Sequence, residues 1–110
     1  MPSFSRNDVV LVRYPFSDAS AGKVRPAIIV GILAPLADFV IVPLTSRTDR
    51  LAAGEFILKD WRGAGLNLPS AVKRGLYTIH EHLILKGLGR LTIDDSDEVD
   101  RSLRVWLNLS

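Results

Sequence analysis

Short apolar runs alternate with polar or proline- and glycine-containing segments along most of the chain. Their short length, apolar character and β-branched content predict strands at residues 8–14, 27–32, 39–42, 55–58, 70–73 and 76–79. We expect Pro26 to begin the second strand, and Pro15 and Pro43 to end the first and third. No βαβ repeat is visible, so the pattern indicates a small barrel or sandwich rather than a doubly wound sheet.

The period of the apolar residues changes near the end of the chain, and residues 97–107 have helical spacing. Ser96 is the expected N-cap, and Asp97 and Glu98 would lie in the first turn, where carboxylates favour the helix dipole. The cluster of acidic residues therefore has a structural explanation. The apolar stripe expected to pack against the strands comprises Val99, Leu103, Trp106 and Leu107.

The composition is that of one folded domain, expected to span residues 1–110. Hydrophobic residues make up 47% of the chain and charged residues 24%, which is typical of a globular domain. The absence of cysteine excludes disulfides, thiolate zinc sites and a cysteine nucleophile. Prolines and a glycine interrupt the longest apolar stretch, residues 26–37, so it cannot span a bilayer. We expect a soluble cytoplasmic protein without membrane contact.

The charge is unevenly distributed, although the net charge is only +2. Residues 1–93 carry twelve Lys and Arg against seven Asp and Glu, whereas residues 94–110 carry two against five. Ten of the fourteen cations are arginine, whose planar guanidinium suits phosphate. The basic body favours an anionic partner, with nucleic acid as one candidate and ordinary surface charge as the alternative.

Cations and hydroxyls cluster at the ends of two predicted strands. Lys23 and Arg25 would point the same way on an extended segment, at the start of the second strand. Thr45, Ser46 and Arg47 follow the third strand. Such a rim suits phosphate binding, but these residues alone do not distinguish an enzyme from a binding module.

Two other motifs have weaker chemical signals. His80 and His82 would share a face if they lay on a strand and could then ligate a metal, but no third ligand is evident, so no metal site is predicted. The segment around Gly87 and Gly89 lacks the spacing of a phosphate-binding loop, and we interpret it as a turn before a short strand.

The order of several segments resembles the MazF/PemK toxins of type II toxin–antitoxin systems. Later segments, including Asp60-Trp61 and Pro69-Ser70-Ala71-Val72-Lys73, are similar to the PemK-like branch. The resemblance covers roughly residues 7–107. Its principal segments are Asn7-Asp8-Val9-Val10-Leu11-Val12, Lys23-Val24-Arg25-Pro26-Ala27-Ile28-Ile29-Val30 and Val42-Pro43-Leu44-Thr45-Ser46.

The resemblance implies a mainly β, small SH3-like barrel of the CcdB/PemK type, with short helices and a C-terminal α-helix. It also implies a homodimeric, ribosome-independent endoribonuclease that cuts single-stranded RNA at short sequences without a cofactor. Attack by the RNA 2′-hydroxyl would leave 2′,3′-cyclic phosphate and 5′-hydroxyl ends. The implied protein partner is a cognate acidic antitoxin, and the toxin–antitoxin complex would bind DNA.

Residue by residue, the resemblance assigns catalysis to Arg25 and Thr45. The general base is unassigned, because Ser20 stands where some relatives carry an acid. A non-enzymatic CcdB-like poison and a degenerate SH3-like binding module are the alternative functions. The expected substrate-binding residues are Phe16, Ser17, Asp18, Lys23, Ser46, Arg47 and Lys73.

Overall fold

Strands dominate the computed structural model, which describes residues 4–14, 23–36 and 38–109. A 3-10 helix at Glu81–Leu83 separates the last two strands, and α1 spans Ile93–Trp106. The strands are β1 (Asp8–Tyr14), β2 (Lys23–Leu33), β3 (Asp38–Thr45), β4 (Phe56–Ile57), β5 (Ala71–Val72), β6 (Tyr77–His80) and β7 (Ile84–Arg90).

All the pairings between these strands are antiparallel, in the order β4-β5-β3-β2-β1-β7. Strand β3 is central, because β2 lies along one edge while β6 and β5 share the other. Ile41 pairs with Tyr77 of β6, and Thr45 pairs with Ala71 of β5. The sheet is barrel-like without being closed, and the mainly β prediction with a C-terminal helix is confirmed.

Alternate residues of the central strands bury into two separate hydrophobic clusters, as expected for side chains that point to opposite faces. Val9, Ile28 and Val42 belong to the first cluster, which also contains Val99 of α1. Neighbouring residues such as Val10 belong to the second. The sheet is therefore buried on both faces, and its ends and edges are left to carry function.

Two prolines lie inside strands, contrary to the sequence prediction. Pro26 pairs with Leu11, and Pro43 pairs with Ala27. Pro26 is tolerated because the pairing of β2 with β3 begins only at Ala27, so this part of β2 is a sheet edge. The carbonyl of Pro43 still accepts a hydrogen bond from the Lys73 amide at 3.0 Å. Both strands therefore extend into the predicted phosphate-binding segments.

The helix begins earlier than predicted, because Thr92 and not Ser96 is the N-cap. The Thr92 hydroxyl accepts from the Asp95 amide at 3.1 Å, whereas Ser96 donates to the carbonyl of Ile93 within the helix. Asp94 and Asp95 occupy the first turn in place of Asp97 and Glu98. No helix in the described ranges has the length and apolar character needed to cross a membrane.

The predicted apolar stripe of the helix is only partly correct. Val99 is fully buried, and Leu103 and Trp106 are partly buried against the first cluster. Leu107 is the C-cap and is 49% exposed, so it lies outside the stripe. The helix packs on the first cluster through Val99, Leu103 and Trp106 of the predicted stripe.

The segment predicted to be a turn around Gly87 and Gly89 is part of β7. Glycine is needed at Gly89 for close packing, since an added Cβ would lie 2.5 Å from the carbonyl carbon of Ala64. Gly65 has a φ of +84° and would place a Cβ against the carbonyl of Leu88. These close approaches seat the loop at residues 59–68 directly on β7.

Candidate functional site

A groove of about 850 Å³ lies where the ends of β1, β2 and β3 meet the 59–68 loop. Phe16, Ser17 and Asp18, which were also predicted to bind substrate, lie outside the described residues. The other predicted site residues all line this groove, namely Lys23, Arg25, Thr45, Ser46, Arg47 and Lys73.

Among the described residues that line the groove, every charged side chain is cationic. No aspartate or glutamate is found among the described residues that line it. A uniformly cationic concave surface attracts anions, and backbone phosphates are the natural ligands for such a row of charges. The cationic side chains are Lys23, Arg25, Arg47, Lys73 and Lys86.

Strand β2 places two of these cations. Lys23 pairs with Tyr14 and Arg25 with Val12, so the two side chains lie two residues apart on one strand and share a side of it. Arg25 is exposed, and its Nη1 donates to the carbonyl of Val24 at 2.9 Å. Strand β2 thus places the Arg25 side chain in the lining of the groove.

The end of β3 places the hydroxyls. Thr45 is the last residue of the strand, and its Oγ1 accepts from the Arg47 amide at 3.1 Å. This bond uses a lone pair of the oxygen and leaves the hydroxyl hydrogen to donate to an anion. Ser46 and Arg47 are exposed just beyond it, and Lys73 approaches from the end of β5.

Two tyrosines in the groove were missed by the sequence analysis. Tyr14 and Tyr77 meet edge-to-face with ring centroids 6.2 Å apart. Burial raises the pKa of Tyr14 well above its usual range, with a further contribution from Tyr77 and an opposing one from Arg25. The Tyr14 phenol is therefore a proton-bearing donor. The two tyrosines lie on β1 and β6, which are far apart in the sequence, so the spacing of residues along the chain does not predict their contact.

A smaller cavity of about 290 Å³ adjoins the groove, and we call it the side pocket. It shares Thr45, Arg47 and Lys73 with the groove. Its remaining lining residues are Asp49, Arg50, Leu51 and Glu55.

Glu55 has a well-defined environment in the side pocket. Its carboxylate accepts hydrogen bonds from the amides of Arg74 and Ala52, each at 2.8 Å. These bonds lower the pKa of Glu55, and the nearby charges of Lys73 and Arg74 lower it further. The carboxylate is therefore ionised at neutral pH. The sequence analysis treated Glu55 only as a strand residue.

His80 and His82 do not lie on one strand, because the chain enters the 3-10 helix directly after His80. His80 Nδ1 accepts from the His82 amide at 3.2 Å, and the two Nδ1 atoms are 2.8 Å apart. Within residues 4–14, 23–36 and 38–109, no three His, Asp or Glu residues are grouped so that they could hold a metal ion.

Several solved structures share this fold. Mycobacterium tuberculosis toxin MazF-mt6 aligns with a TM-score of 0.75 at 20% identity, covering 94% of this chain and 98% of that chain. A mycobacterial endoribonuclease in complex with its cognate antitoxin aligns with a TM-score of 0.73 at 19% identity, covering 96% and 95%. A MazE–MazF structure from Deinococcus radiodurans gives 0.74 at 18%, covering 96% of each chain.

A search of curated proteins returned no match. The model of the PemK-like, MazF-like toxins of type II toxin–antitoxin systems, in contrast, matches residues 5–107, which is nearly the whole chain. The match includes the segments at the start of β1, along β2 and at the end of β3 on which the resemblance was based. The chain belongs to the PemK-like, MazF-like toxin family of type II toxin–antitoxin systems.

Proposed function

We propose that this chain is an endoribonuclease that cuts single-stranded RNA. The main support for the proposal is the groove, which brings together Arg25 and Thr45 from separate strands. The charged residues among its described lining are all cationic. The family supports the proposal because its members act in toxin–antitoxin systems, and one structural neighbour is itself described as an endoribonuclease.

RNA supplies the nucleophile of the proposed reaction. The 2′-hydroxyl attacks the adjacent phosphorus while its proton passes to a base, and the bond to O5′ breaks as that oxygen gains a proton. The products are a 2′,3′-cyclic phosphate and a 5′-hydroxyl. The protein therefore needs to splay the strand, hold the phosphate and stabilise the negative charge of the phosphorane.

Arg25 is the proposed stabiliser of that charge. Its guanidinium can donate two parallel hydrogen bonds to the non-bridging phosphate oxygens, and it is too basic to accept a proton. Thr45 would donate its hydroxyl hydrogen to the same phosphate. Burial keeps the Tyr14 phenol protonated, and its hydroxyl donates to the carbonyl of Pro26 at 3.5 Å, so Tyr14 is not the proposed base.

The remaining predicted substrate-binding residues in the groove, three cations and the Ser46 hydroxyl, would hold the backbone phosphates on either side of the cut. Lys23, Ser46, Arg47 and Lys73 all line the groove around the Arg25–Thr45 pair. Acid–base catalysis contributes about 10²–10⁴-fold to such reactions, so electrostatic stabilisation without a strong base still gives a damaging nuclease.

The proposal predicts cleavage that does not require a metal ion. Purified protein incubated with single-stranded RNA in excess EDTA should produce fragments that end in 2′,3′-cyclic phosphate, because the 2′-hydroxyl and the cationic groove suffice. End-mapping of the fragments is the measurement. Activity that disappears with EDTA and returns with one added metal would contradict metal independence. Failure to cut any RNA would favour the binding-module or poison alternatives.

We also propose that an acidic antitoxin neutralises the protein by occupying this groove. A disordered acidic segment that folds on binding would compete with RNA for the same cations. Addition of the acidic partner peptide to the cleavage assay should inhibit it, with slower association at higher salt because charge steering is screened. A peptide that binds tightly yet leaves cleavage unchanged would contradict the shared site.

We further propose a cytoplasmic homodimer. Large apolar side chains remain exposed at the end of β2, in the last turn of α1 and just after it, and a self-complementary contact would cover part of them. These side chains are Ile32, Leu33, Val105, Leu107 and Leu109.

A further inference from the structure

The side pocket differs from the groove in the sign of its charges. The groove has only cations among its described lining residues, whereas the side pocket sets Asp49 and Glu55 beside Arg47, Arg50 and Lys73. Carboxylates repel phosphates, so Glu55 is poorly explained as part of a surface for the RNA backbone alone. The Glu55 carboxylate is a hydrogen-bond acceptor, so the side pocket suits a ligand group with N–H donors.

Glu55 is held as an oriented acceptor. Its Oε1 accepts from Ala52 and its Oε2 from Arg74, so both oxygens are tethered to the backbone at 2.8 Å. A carboxylate has about four lone-pair sites, so about one remains on each oxygen. The lowered pKa keeps the group ionised. Two adjacent acceptor positions are thus available in a fixed orientation.

The walls of the side pocket are also preformed. Arg50 has a φ of +57°, in the left-handed region that few non-glycine residues adopt, and it turns the chain between the end of β3 and Glu55. The hydrogen bonds of Glu55 join this turn to the segment after β5, which carries Lys73. At about 290 Å³, the cavity is just below the usual size range of ligand pockets, which begins at about 300 Å³.

We propose that the side pocket binds a single nucleotide of the RNA next to the scissile phosphate, and that Glu55 selects guanine there. The inference rests on the proposed ribonuclease function for its biological meaning. The shared residues Thr45, Arg47 and Lys73 would hold the phosphate at the junction of the two cavities. The base would then extend towards Glu55.

Guanine matches the carboxylate better than the other bases. Its N1–H and N2–H are neighbouring donors and can bond to both oxygens at once. Adenine and cytosine place an acceptor nitrogen beside their amino group, and uracil flanks its single N–H with two carbonyls. A good bidentate pair discriminates by about tenfold or more.

The first test uses mononucleotides and does not depend on cleavage. In an NMR titration of the full chain, 5′-GMP should bind about tenfold more tightly than 5′-UMP. The amide signals of Ala52 and Arg74 should move with GMP, because both amides donate to Glu55. Equal affinities, or GMP shifts that leave these two amides unchanged, would overturn the proposal without any variant being needed.

Substitution separates base selection from a purely structural role of Glu55. Glu55→Ala should abolish the difference between GMP and UMP while leaving weak phosphate-driven binding of both. Lys59→Ala is the matched control, since Lys59 is exposed and lines neither cavity. If Glu55→Ala lowered the affinities for GMP and UMP equally and left their ratio unchanged, Glu55 would have only the structural role of holding the loop through its hydrogen bonds.

The second test uses RNA of random sequence, with the cut sites mapped. Wild type should enrich guanine at one fixed position beside the cut, and Glu55→Ala should lose that enrichment. Cleavage with no guanine preference would overturn the side-pocket inference and leave the proposed function standing. Guanine-selective binding without any cleavage would support the side pocket and reject the nuclease.

Discussion

Replacing Arg25 by alanine is expected to reduce the rate of RNA cleavage by about 10²–10³-fold, the usual cost of removing one donor that stabilises transition-state charge. The side chain is exposed, and its hydrogen bond is to the carbonyl of the adjacent Val24. Folding should therefore be almost unaffected. Initial rates on end-labelled single-stranded RNA, measured together with thermal melting, test both statements.

Three further variants sharpen this prediction. Arg25→Lys retains the charge but loses the planar pair of donors, so it should remain strongly impaired. Thr45→Ala should also impair cleavage, and its melting temperature should stay close to that of wild type. Arg62→Ala is the matched control, because Arg62 stacks on Trp61, with its guanidinium carbon 4.8 Å from the ring centroid, and lines neither cavity. Full activity in Arg25→Ala would remove Arg25 from the mechanism.

Much of the fold follows from local pattern. Short apolar runs rich in β-branched residues marked β1 and the cores of β2 and β3, because strands buried on both faces are apolar at nearly every position. The errors arose where tertiary context overrides a local rule. Pro26 is compatible with a strand only because β3 does not pair beside it. Gly89 lies in β7 because a distant loop at Ala64 packs onto it.

The site was predictable to the extent that it lies on single strands. Lys23 and Arg25 have the spacing of neighbours on one strand face, and the hydroxyl of Thr45 follows an apolar run. The contact of Tyr14 with Tyr77 joins strands more than sixty residues apart, so it depends on the register of the sheet. Glu55 acquires its role only when the segment after β5 brings the Arg74 amide to it.

Asp95 is a buried polar residue whose loss should strongly reduce stability. It is 1% exposed, and its two carboxylate oxygens accept from the amides of Lys59 at 3.0 Å and Asp60 at 3.1 Å. It also lies in the first turn of α1, where a negative charge favours the helix dipole. Asp95 therefore joins the start of the helix to the loop that forms one wall of the groove.

Asp95→Ala should lower the free energy of unfolding by about 2–4 kcal/mol, since hydrogen bonds to charged groups contribute about 1.5–3 kcal/mol each and the amides of Lys59 and Asp60 regain only part of that from water. Asp97→Ala is the control on the same helix, because Asp97 is exposed and beyond the first turn, and it should change stability by less than about 0.5 kcal/mol. Urea unfolding followed by circular dichroism gives both values. If the two variants were equally stable, the hydrogen bonds from Lys59 and Asp60 to Asp95 would make no measurable contribution to stability. If only Asp95→Ala is destabilised, the helix start contributes to holding the groove in shape.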